Sequence, residues 1–165
     1  MDPTLYNKDY YREIADYYVL SGRTKEVGFR VKNSGDGMAN SVRLEVKISD
    51  ERDGFIFFDE ESFPDEPSYF FANRINSVFA RKDQDLFVSK RGYEWVIHGE
   101  FGKIQPKRTA ELKSPFYMGS RQDDLLQFKA LIFSEGLDNP VSQIFKVEFI
   151  TEQRDISLEK IIYKK

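Results

Sequence analysis

The sequence predicts a mainly β fold, an antiparallel β-sandwich with one or two short helices, on three observations. Several runs alternate apolar and charged residues with a period of two, as half-buried strands do. Pro64, Pro67, Pro106, Pro115 and Pro140 fall between these runs and not inside them, where they cost no strand hydrogen bonds. The runs are many and short, with turn residues between them, which is the pattern of a sandwich. At 165 residues the chain has one domain's length. It shows no internal repeat or low-complexity linker, so residues 1–165 read as one domain with an insertion at about 50–91.

Taken in order, Tyr10, Tyr11, Ile14, Tyr17 and Tyr18 form a helical stripe from Asn7 to about Tyr18, while Tyr17–Leu20 is strand-prone. Helix and strand both remain open there. Val27, Phe29 and Val31 alternate with Gly28, Arg30 and Lys32, giving a first strand. The clearest element is Ser41–Ser49, where Val42, Leu44, Val46 and Ile48 alternate with Arg43, Glu45 and Lys47. Between these two, Asn33–Asn40 reads as an ordered loop, with Asn and Asp suited to Asx-turns. Phe55–Phe58 is a continuous apolar run, as in a strand buried on both faces. Tyr93–His98, Phe116–Met118, Leu125–Phe133 and Gln143–Ile150 complete the strands. Phe71, Ile75, Val78 and Phe79 have helical spacing and predict a short helix at about 69–80. Leu158, Ile161 and Ile162 predict a last one from Ser157.

Composition removes several chemistries. The chain has no Cys and one His, so it offers no disulfide, thiolate zinc site, cysteine nucleophile or paired imidazoles. Net charge is −3, which gives no bulk attraction to nucleic acid or anionic membranes. No segment approaches the roughly 18 apolar residues of a membrane span. Met1–Thr4 begins no signal peptide, so the cytoplasm is the default compartment. Charge is uneven: Asp50–Glu66 holds eight carboxylates against Arg52 alone.

The stretch Phe29, Val31, Asn33, Gly35, Ala39, Val42, Leu44, Val46, Ile48 resembles bacterial and archaeal immunoglobulin-like modules of the CARDB kind. In these an alternating strand is followed by Asn-x-Gly, Ala and a second alternating strand. Ile104–Lys107, Phe116–Gly119 and Asp138–Pro140 look similar too, although this chain has Pro106-Lys107 where the family commonly has Pro-Gly. Similar sandwiches occur as appendages of bacterial proteins with an AlbA-type ATP- or DNA-binding domain. The resemblance implies an immunoglobulin-like antiparallel β-sandwich with a role in contact and assembly. It supplies no catalytic residues.

Candidate sites follow from residue type. The Tyr cluster at the N-terminus, Tyr6, Tyr10, Tyr11, Tyr17 and Tyr18, exceeds what one element face buries, and such rings are enriched at protein interfaces. The acidic run around Asp59, Glu60 and Glu61 reads as a solvated loop suited to a basic partner. Calcium would use such carboxylates, but the Asp-x-Asp-x-Asp-Gly spacing is missing and no metal site is assigned. Lys103, Lys107 and Arg108 with Tyr117 form a basic–aromatic stretch. That stretch is the alternative, a surface for glycan or single-stranded nucleic acid. His98 reads as structural, Trp95 as core, and Gly99–Gly102 lacks phosphate-loop spacing. The expectation is a non-catalytic protein-interaction or accessory module of a larger bacterial protein or assembly. Its partner is a protein or parent-chain domain, and it has no cofactor.

Overall fold

The computed structural model describes residues 7–69 and 84–152. Among them, α1 (Tyr10–Arg23) runs directly into β1 (Thr24–Val27). There follow β2 (Arg30–Lys32), β3 (Ala39–Ser49), β4 (Phe55–Asp59), β5 (Leu86–Arg91) and β6 (Glu94–Ile104). The chain continues through β7 (Thr109–Glu111), β8 (Phe116–Ser120), β9 (Asp124–Glu135) and β10 (Val141–Phe149). The strands make a five-stranded sheet in the order β10-β9-β3-β6-β5, a three-stranded sheet β1-β8-β4 and a ribbon β2-β7. Every pairing is antiparallel, and the fold is mainly β, as the alternation predicts. No described helix is long and apolar enough to cross a membrane.

The core forms where alternating residues of the sheets meet. Leu44, Val46 and Ile48 of β3 share it with Phe55 and Phe57 of β4, Phe116 and Met118 of β8, and Leu126 and Phe128 of β9. Phe57 binds the layers together. Its ring stacks on Phe116 at 6.1 Å and meets Trp95 of β6 edge-on at 5.3 Å. Phe57 is 1% exposed, so truncation to Ala would cost about 3–5 kcal/mol. Trp95 packs against this core as expected, with the Lys90 ammonium 4.8 Å above its ring. Gly99 sits mid-strand in β6. A Cβ there would fall 2.5 Å from Leu112 Cδ1, so the missing side chain lets Leu112 settle on the sheet.

The loop at Asn33–Asn40 holds an Asx-turn of the kind expected, at Asn33: its Oδ1 accepts the Gly35 N–H at 3.0 Å, while its amide donates to the Gly37 and Ile104 carbonyls. β4 is buried on both faces as read. Other boundaries differ. The single strand expected at 27–31 is two, because the chain leaves β8 after Val27 and reaches β7 at Arg30. Short β7 and the non-alternating β5 were not anticipated. The stretch 50–91 contributes β4 and β5, each paired into a sheet. The helices expected at about 69–80 and from Ser157 fall outside the described residues.

Candidate interaction surface

The ambiguous N-terminal segment is a helix, and its packing explains why. Tyr10, Ile14 and Tyr17 recur at helical spacing on one face, and Ile14 is fully buried. The Asp9 N–H bonds Asn7 Oδ1 ahead of the first turn. At the far end both the Thr24 N–H and its hydroxyl reach the Leu20 carbonyl, the latter at 3.0 Å. Glu13 in the first turn and Arg23 in the last suit the helix dipole. The end of α1 passes so close to β8 that a Cβ on Gly119 would lie 2.2 Å from the Arg23 carbonyl oxygen. Only glycine fits beneath that crossing.

On the face of β1-β8-β4 turned away from the core, Glu26, Tyr117 and Phe58 align across the three strands. Phe63, from the turn after β4, lies over them, with its ring 4.2 Å from Tyr117 and edge-on to Phe58 at 5.6 Å. Tyr17 meets Phe63 edge-on at 6.4 Å and Tyr18 at 6.0 Å. A second aromatic group joins Tyr11, Tyr10 and Tyr69, with centroids 5.3 and 5.4 Å apart. The Asn7 N–H donates to the Tyr69 carbonyl at 3.0 Å and ties the loop to the helix start. Tyr11 is 57% exposed, while Tyr10, Tyr17 and Tyr18 are half-buried. The tyrosines therefore neither form one open patch nor vanish into the core. They pack by one side of the ring and leave the other at the surface. Tyr6 lies outside the described residues.

The acidic run divides by function. Asp59 is 6% exposed and faces inward, which corrects its assignment to the surface. Its Oδ1 accepts the Ser62 N–H at 2.9 Å and the Ser62 hydroxyl at 2.6 Å. Its Oδ2 accepts the Val88 N–H at 2.8 Å. Asp50 does similar work before β4, accepting the N–H groups of Gly54 and Phe55. Glu61 is exposed and Glu60 half-buried. With Asp65 and Glu66 they make residues 60–69 acidic and free of Lys or Arg. Burial, then the nearby Glu26 and Glu60 carboxylates, push the Tyr117 hydroxyl above its usual pKa. The phenol stays protonated within an acidic rim.

The basic–aromatic stretch is not assembled. Tyr117 is covered by Phe63, whereas Lys107 turns to the loop before β3, bonding Asp36 and the Ser34 carbonyl at 2.8 Å each. Lys103 and Arg108 are exposed, and no described contact joins them to Tyr117. His98 is exposed on β6, beside Glu45 of β3, whose carboxylate pairs with Lys47 at 3.2 Å. Among the described residues no group of three or more His, Asp or Glu is placed to hold a metal.

One surface feature had no signal in the sequence. A cleft of about 630 Å³ is lined by Ser41, Arg43, Phe133, Glu135, Leu137 and Asp138. Ser41 adopts a positive φ of 51° at a register shift in β3 and donates its hydroxyl to Glu135 at 2.6 Å. Serine rarely takes that conformation, so an alternating strand was the natural reading.

The architecture and this face define an antiparallel β-sandwich carrying a helix-and-loop cap of aromatic and acidic residues. Comparison of the chain with family models, characterised proteins and solved structures gives no match.

Proposed function

We propose that the chain is a non-catalytic, immunoglobulin-like interaction or accessory module of a larger bacterial assembly. Its contact face is the cap formed by α1 and residues 60–69. The observation that supports this reading most is the Tyr17–Phe63–Tyr117 ring cluster with carboxylates at its rim. Packed rings are already ordered, so little side-chain entropy is lost when a partner covers them, and their hydroxyls stay available for hydrogen bonding. The carboxylates select a basic protein segment and disfavour nucleic acid.

Fluorescence anisotropy with a Lys/Arg-rich peptide tests this. Glu60→Lys with Glu61→Lys, and separately Tyr11→Ala, are expected to weaken binding about tenfold or more while the melting temperature holds. Equal binding by wild type and both variants would refute it.

A further inference from the structure

The sheet order leaves β10 at the end of the five-stranded sheet, and among the described residues it pairs only with β9. It is nine residues long, and its N-terminal two-thirds is exposed on both faces. Ile144 is 56% exposed and Phe145 42%. A long apolar edge with unpaired N–H and C=O groups is what folded proteins ordinarily cover or blunt. This one is not blunted by proline or by a like-charged row; it carries one cation and one anion, Lys146 and Glu148, on the same face.

We propose that this edge pairs antiparallel with β10 of a second copy of the chain, in a register centred on Val147. Charge complementarity selects both the occupant and the register. In a two-fold antiparallel pairing, residues whose numbers sum to twice the centre lie opposite each other and share a face. Centring on Val147 sets Lys146 against the second copy's Glu148, and Glu148 against its Lys146. It also sets Phe145 against Phe149 on the inner face and Ile144 against Ile150, itself 73% exposed, on the outer. Centring on Lys146 or Glu148 would oppose like charges. Centring on Phe145 would set Lys146 against Ile144. Only the Val147 register satisfies charge and hydrophobicity together, and it joins the two five-stranded sheets into one.

Sedimentation equilibrium of the full chain over a concentration series tests the pairing. Wild type is expected to dimerise, and Lys146→Glu or Glu148→Lys alone to raise the dissociation constant about tenfold or more. The double swap, Lys146→Glu with Glu148→Lys, restores opposite charges and dimerisation. An equimolar mixture of the two single variants forms the heterodimer, seen by native mass spectrometry. Both substituted positions, Lys146 and Glu148, are exposed, so near-ultraviolet circular dichroism should be unchanged in every variant. A monomeric wild type would overturn the proposal and leave the edge to another occupant. So would a dimer unaffected by either single reversal.

Discussion

The Asp59 carboxylate at the end of β4 accepts the Val88 N–H of β5 at 2.8 Å, a hydrogen bond that links the three-stranded sheet to the edge of the five-stranded one. The same carboxylate holds the Ser62 turn, which sets Phe63 over Tyr117. One buried acid thus closes the sandwich margin and positions the outer aromatic face. Asp59→Ala leaves three donors without their acceptor and is expected to cost about 3 kcal/mol. Asp59→Asn keeps one acceptor oxygen and should lose about half as much. Urea denaturation measures both, and equal stability of wild type and Asp59→Ala would remove the role.

Asp85 makes a comparable tie at the start of β5, accepting the N–H groups of Lys113 at 2.8 Å and Ser114 at 2.9 Å. Burial would raise its pKa, but these bonds and the Ser114 hydroxyl together hold it below the ordinary 3.8. A carboxyl depressed in the folded state contributes stability that is complete above its unfolded value. That contribution disappears as pH falls from there through the folded one. The stability gap between wild type and Asp85→Asn should therefore be flat above about pH 5 and close on acidification below it. Denaturation midpoints across that range check this, and a gap that widens in acid would contradict it.

Lys107 occupies the left-handed region, with φ 58°, in the turn closed by the Arg108 N–H to the Gln105 carbonyl. The conformation costs a side-chain-bearing residue about 1 kcal/mol, and the exposed ion pair with Asp36 returns about 0–1 kcal/mol. Lys107→Ala loses the ion pair and keeps the strain, whereas Lys107→Gly loses both. The glycine variant is expected to be more stable than the alanine variant by about 1 kcal/mol in thermal or urea unfolding.

Legibility in the sequence followed burial. β3 and β9 could be read because each buries one face and so alternates, and β10 because Phe145, Val147 and Phe149 alternate with Lys146 and Glu148 in its C-terminal half. Phe55–Phe58 could be read because it buries both. β5 could not: Leu86 and Val88 face inward, but Phe87 is 47% exposed, which breaks the apolar–polar rhythm. β7 is three residues long, too short to carry a period. The helix at Tyr10–Arg23 was undecidable because its Tyr and Val content suits a strand locally. Its packing depends on Gly119, about a hundred residues away. The tyrosine surplus was visible in composition and falls on α1, but Phe63, which packs against it, was not, since a lone Phe before Pro64 has no pattern. The acidic run looked uniform because composition cannot distinguish a carboxylate that holds a turn, such as Asp50 or Asp59, from one on the rim, such as Glu61.

The central claim, that the cap of α1 and residues 60–69 is a contact face, is tested most directly by an amide-shift titration. The ¹⁵N-labelled chain would be titrated with a Lys/Arg-rich peptide at low and moderate salt. Shifts are expected to concentrate at Tyr11, Tyr17, Tyr18, Glu60, Glu61 and Phe63, weakening as salt screens the rim. No shifts at any peptide concentration, or shifts centred on the cleft at Ser41 and Glu135, would contradict it.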